Sequence, residues 1–147
     1  MNIRKANIHD IAQLSILFDA YRVFYEKESN VELAKIFLSD RINNHESEIF
    51  VAENEDKKLV GFVQLYPIFS STRMKRLWLL NDLFVDETQR SKGISVALID
   101  AAKDLCKTTN SCGMILETAK TNIIGNKLYQ KTGFELDNEH HYYSWNI

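Results

Sequence analysis

The stretch LWLLNDLFVDETQRSKGISV, residues 77–96, runs from an apolar strand through a short basic turn carrying Gly93 into the start of an amphipathic helix. A junction of this kind is built to hold a phosphate. The first turn of a helix leaves backbone N–H groups without partners, and the helix dipole adds partial positive charge at the same end. Arg90 and Lys92 can supply charge at the mouth of such a site, and Gly93 lacks the Cβ that would keep an anion from the backbone. The same turn also reads as an ordinary solvated one. The anion is favoured by the apolar strand before it and by the apolar helix face after it, formed by Ile94, Leu98, Ala101, Ala102 and Leu105.

Working outward, residues 77–85 are apolar on both faces apart from Asn81 and Asp82, which suits a central strand covered by helices on each side. Upstream, residues 3–6 read as a first strand. Asn7 or Asp10 can cap a helix whose apolar residues Ile11, Leu14, Phe18, Tyr21 and Tyr25 recur at three and four. A second helix starts near Asn30, carries Leu33, Ala34, Phe37, Leu38 and Arg41 at the same period, and ends at Asn43 and Asn44. Residues 48–53 and 59–66 then read as strands joined by a polar turn. Downstream, the helix from Gly93 ends near Lys107, residues 114–118 form a strand, and Asn122 caps a last helix that Gly133 closes. Residues 134–136 and 142–147 are expected to form a final hairpin. The pattern predicts an α+β fold, a mixed, mostly antiparallel sheet with helices on both faces, as one domain spanning residues 1–147.

Composition narrows the function. A chain of 147 residues with 45% hydrophobic content buries one core and little more. A net charge of -2 gives no field that would gather nucleic acid. Cys106 and Cys112 have no CxxC or His-rich spacing for zinc and read as free thiols; His140 and His141, adjacent on an expected strand, point to opposite faces and read as non-ligands, so no metal is expected. The start, MNIRKANIHD, has no apolar core for a signal peptide and no apolar run approaches a membrane span, so the expected location is cytoplasmic with no membrane partner.

Two segments together resemble the GNAT superfamily of acetyl-CoA-dependent N-acetyltransferases. The coenzyme-binding pattern of that family reads here as Val85, Arg90, Gly93 and Ser95, and its later segment as Asn122, Leu128, Tyr129, Gly133 and Phe134. Ser91 and Ser95 stand where members usually carry glycine or alanine, and they add hydroxyl donors. The resemblance implies an acyl-CoA N-acyltransferase fold with a splay between the strands carrying Val85 and Leu116. It implies that acetyl-CoA lies with its pyrophosphate on the turn Arg90, Ser91, Lys92, Gly93, Ile94 and Ser95. It also implies that backbone groups of Leu83, Phe84 and Val85 bind the acetyl carbonyl and pantetheine amides. Asn122 reads as a helix cap, a cofactor contact, or both.

Acetyl transfer needs a neutral amine, a tolerated oxyanion and a leaving thiolate. The resemblance places Tyr129 near the sulfur as general acid; periodicity alone would make it a half-buried aromatic. Asp82, a carboxylate in an apolar strand, is either the base, directly or through water, or a structural partner for Arg73, Arg76 or a helix N-terminus. Strand alternation puts Asn81, Leu83 and Val85 on one face and Asp82 on the other unless a bulge intervenes, so Asn81 is a candidate to face the substrate. The strand LLNDLFV is also similar to that of the diamine (spermidine/spermine) acetyltransferases, and the chain is similar to GNATs acting on histone tails, polyamines or amino acids. The expected acceptor is therefore a small primary amine, with a protein lysine or a non-catalytic acetyl-CoA-binding role as alternatives. The aromatic end, Tyr142, Tyr143 and Trp145, reads as an edge strand that a homodimer would cover.

Overall fold

The computed structural model describes residues 1–147. They fall into two compact units, Met1–Glu117 and Thr118–Ile147.

The first unit is a five-stranded sheet in the order β1-β2-β3-β4-β5, with β1 Asn2–Lys5, β2 Glu48–Glu53, β3 Leu59–Ser70, β4 Lys75–Val85 and β5 Met114–Ile115. The first three pairings are antiparallel and the last is parallel, which is the mixed, mostly antiparallel sheet expected. Helices α1 (Ile11–Phe24) and α2 (Val31–Asn43) cover one face. Leu14, Leu17, Phe18 and Leu38 pack there in one cluster with Val51, Phe62 and Phe84. Helix α3 (Ile94–Thr108) contacts β2, β3 and β4 and buries Leu98, Ile99 and Ala102. Each fully buried Leu or Phe contributes about 1.5–3 kcal/mol, so both layers are held by apolar burial. At Gly61 a Cβ would come within 3.0 Å of the Phe84 carbonyl oxygen and 3.4 Å of Ile94. The missing side chain lets α3 approach the sheet closely.

The hairpin of β3 and β4 is longer than residues 59–66 and 77–85 alone predict, because β3 continues through Pro67. Proline is tolerated there for a geometric reason. Pro67 stands opposite Trp78, whose N–H points to the other neighbour and donates to the Gly113 carbonyl. Strand β2 ends opposite Leu65, so no ladder bond is lost for want of a proline N–H. The helix start is reciprocal: Asn7 accepts from the His9 N–H at 2.9 Å while Asp10 accepts from the Asn7 N–H at 2.9 Å.

Strand β5 is shorter than residues 114–118. Its pairing with β4 stops at Leu79 opposite Ile115, leaving residues 80–85 of β4 with no strand beside them on that edge.

In the second unit, Asn122 caps α4 (Ile123–Lys131), accepting from the Gly125 N–H at 3.0 Å. Gly133, at φ 84°, closes the helix. The Phe134 N–H donates to the Tyr129 carbonyl and the Gly133 N–H to that of Gln130, a Schellman closure. The expected hairpin of residues 134–136 and 142–147 does not form: no strand occurs after Gly133. Local bonding takes the place of a ladder at its middle, where Asp137 accepts from the Glu139 and His140 N–H groups and pairs with His140 at 2.7 Å. Tyr142, Tyr143 and Trp145 are 83–86% exposed.

Candidate functional site

Sequence residues 83–95 converge where β4 gives way to α3. After Val85 the chain makes a single 3-10 turn, Glu87–Gln89, capped by the Asp86 side chain, and then enters α3 through Gly93. Ser91 and Gly93 both sit at positive φ, 65° and 77°. Gly93 is the N-cap, so no side chain caps α3, and a Cβ on Gly93 would find no atom within 4 Å. The start of a 15-residue helix is thus left without a side-chain cap, an arrangement that suits a pyrophosphate.

The two cations of this turn are engaged locally. Lys92 donates to Gln89 at 2.9 Å. The Arg90 Nε donates to the Val85 carbonyl at 3.1 Å, and its guanidinium lies over the rings of Phe84 and Phe24, 5.7 and 5.8 Å from their centroids. Arg90 therefore ties the end of β4 to the end of α1, while Ser91, Lys92, Gly93, Ile94 and Ser95 supply the backbone of the turn.

Asp82 lies two residues before Phe84, and a bulge decides its face. Gln64 stands opposite Asp82 and Leu65 opposite Leu80, so Asn81 is the extra residue on β4. The bulge turns Asp82 toward the α1 face together with Gln64, Phe62 and Phe84, and leaves Asn81 exposed. The carboxylate is 5% exposed. It accepts from Gln64 Nε2 at 2.7 Å, from Asn81 Nδ2 at 3.1 Å, and from the Tyr21 hydroxyl. Burial pushes its carboxyl above the ordinary carboxylate range, and these donors pull it partway back. Neither Arg73 nor Arg76 is its partner: Arg73 donates to the Cys112 carbonyl and Arg76 stacks on Phe69 and Trp78. On the same face Tyr66 is pushed up to about 12, by burial first and by the Asp82 charge second.

Aromatic rings continue from Asp82 outward. Tyr21 contacts Phe84 and Tyr25, at 6.3 and 5.0 Å between centroids, and Tyr25 contacts Phe24. The loop that leads from Tyr25 to α2 is anchored by Asp19, buried on α1. It accepts from Ser29 Oγ at 2.6 Å, the Asn30 N–H at 2.7 Å and Arg22 at 3.2 Å. Burial alone would raise this carboxyl; Ser29, Asn30 and Arg22 together hold it below its ordinary range. Sequence reasoning missed Gln64 and Asp19 as organisers. The signal for Gln64 was available, a lone amide within the apolar run LVGFVQLY.

In the second unit Tyr129 packs edge-on against Phe134, centroids 5.7 Å apart, so the Schellman closure also fixes its ring. Asn122 uses both ends of its amide locally, accepting from Gly125 and donating to Thr118 Oγ1 at 3.0 Å. Gly125 leaves the room for this cap, since a Cβ there would fall 2.4 Å from Asn122 Nδ2.

Comparison with known proteins shows the family and the fold. Residues 14–134 match the Acetyltransferase (GNAT) family. The chain is 42% identical over its full length to an uncharacterized N-acetyltransferase, YhfO, of Bacillus subtilis (strain 168), covering 98% of that protein. It is 36% identical to a probable acetyltransferase of Haemophilus influenzae over 93% of this chain and 92% of that one. A crystal structure of a probable acetyltransferase superposes with a TM-score of 0.95 at 36% identity, covering 100% of this chain and 98% of the other.

Proposed function

The chain belongs to the GNAT acetyltransferase family, whose members draw on acetyl-CoA, and from that premise we propose that it acetylates the primary amine of a small molecule within a ternary complex. The observation that carries this reading is a buried carboxylate, Asp82, at the foot of an aromatic wall of Tyr21, Tyr25, Phe24 and Phe84. Ring faces attract an ammonium group, and the burial that raises the Asp82 carboxyl makes it a better proton acceptor.

Acetyl-CoA supplies the acetyl group as an activated thioester. The backbone of residues 91–95 holds the pyrophosphate, with Arg90 bracing the turn from Val85 and Phe84. Leu83, Phe84 and Val85, on the edge of β4 that no strand covers, offer backbone groups to the pantetheine arm and the acetyl carbonyl. Asp82 takes the amine proton directly or through water, with Asn81 bordering it on the solvent side; the family resemblance is what assigns Tyr129 the return of a proton to the leaving sulfur. Most of the rate then comes from positioning. We place this activity in the cytoplasm and in a homodimer.

Purified protein incubated with acetyl-CoA and panels of polyamines, amino acids, aminoglycosides and lysine peptides, with thiol release as readout, tests the acceptor class. Turnover with free small amines is the expected result. Turnover confined to peptides would reassign the acceptor to protein lysine, and thiol release with none of them would remove the small-amine reading.

A further inference from the structure

We propose that Gln64, locked in one orientation by Ser47, is a positioning residue that aims the Asp82 carboxylate; this rests on the reading of Asp82 as proton acceptor. Gln64 is 0% exposed, midway along β3 between Val63 and Leu65, which are also fully buried. A carboxamide in such surroundings destabilises the fold unless both of its ends are bonded, and a leucine would serve packing better. Both ends are bonded: Ser47 Oγ donates to Oε1 at 2.8 Å, and Nε2 donates to Asp82 Oδ2 at 2.7 Å. Ser47, itself buried, satisfies the amide oxygen and leaves only the amide nitrogen to face the carboxylate.

The bulge and the amide act as one device. If Asn81 were kept but paired regularly instead of bulging, Gln64 would stand opposite Asn81, and Asp82 would face α3. With the bulge, Asp82 lies directly opposite Gln64 and meets Tyr21 from α1. The other groups on this face are Tyr66 from β3, with Arg41 of α2 and Glu46 of the following loop acting on it, and Asn81 on the strand itself.

The test follows the Asp82 carboxyl by 13C NMR, its signal assigned by loss in Asp82→Asn, in wild type, Gln64→Leu and Ser47→Ala. In parallel, kcat is measured against pH with the amine found by the thiol-release screen. The expected result is a titration midpoint and an acid limb that both move to higher pH in Gln64→Leu, less so in Ser47→Ala. Near neutrality kcat falls about tenfold in Gln64→Leu, the equivalent of one buried hydrogen bond to a charged group, and the KM for acetyl-CoA holds. An unmoved midpoint in both variants overturns the proposal, as does a kcat loss equal at every pH. If Gln64→Leu does not fold, Ser47→Ala decides by the same criteria. A midpoint that moves while the acid limb stays, or a limb that survives Asp82→Asn, removes instead the reading of Asp82 as base.

Discussion

The proton-transfer roles proposed for Asp82 and Tyr129 give separate expectations, because their environments differ. Because burial raises the Asp82 carboxyl, its contribution to stability is fully present at low pH and is lost as pH rises through its folded value. Asp82→Asn is therefore expected to lower kcat by about 10² to 10⁴ above the acid limb, with the deficit shrinking at acidic pH where wild type is itself protonated. An unchanged profile would make Asp82 a structural carboxylate. Tyr129→Phe keeps the ring against Phe134 and removes one hydroxyl. It should reduce kcat by a similar factor of about 10² to 10⁴ at constant acetyl-CoA affinity, and full turnover would reduce Tyr129 to packing. Both residues stood out in the sequence, Asp82 as a charge in an apolar strand. Its face did not, since strand parity depends on the bulge at Asn81, and that is set by pairing with β3 rather than by neighbours in sequence.

At the scale of elements, the uncapped start of α3 and the close approach of α3 to Gly61 make distinct predictions. Acetyl-CoA at about a hundred times its Kd should add roughly 2.7 kcal/mol and raise Tm by several degrees. Gly93→Asp should abolish that shift, because it puts a negative charge where the anion is expected, at a left-handed position that a side chain rarely adopts. A normal shift in this variant, read by differential scanning fluorimetry, would relocate the pocket. The helices, the capping residues Asn7 and Asn122, and strands β1 to β4 were legible because period and cap chemistry are local. The passage of β3 through Pro67, the two-residue β5 and the missing last hairpin were not, because each depends on what lies along a strand's edge.

For the whole molecule, Arg4 joins the edge of the sheet to the start of α1, donating at 2.8 Å to both Asp10 and Glu53. Those hydrogen bonds hold both carboxyls below their ordinary range. Their contribution is present above the unfolded values of 3.8 and 4.5 and is lost as pH falls through the lower folded ones. Arg4→Met should thus lower Tm at pH 7, and the gap to wild type should close as the pH is taken below about 4; a gap independent of pH would assign the loss to packing. The exposed Tyr142, Tyr143 and Trp145 support a dimer. Light scattering is expected to give about twice 17.1 kDa at micromolar concentration, and a monomer mass unaffected by acetyl-CoA would discard the dimer.

The bulge also sets how this chain tolerates change in length. Removing Asn81 alone would leave Leu80 opposite Leu65 and Asp82 opposite Gln64, as they already stand. Every buried side chain would keep its face, and only the kink would go. Such a deletion is expected to fold and to lose activity, whereas insertion of one residue between Asp82 and Phe84 would invert the end of the strand and expose part of the core. Descent can therefore drop a codon at position 81 more easily than gain one two codons later, and a single-residue gap there in a relative would mark a change of chemistry within an unchanged fold.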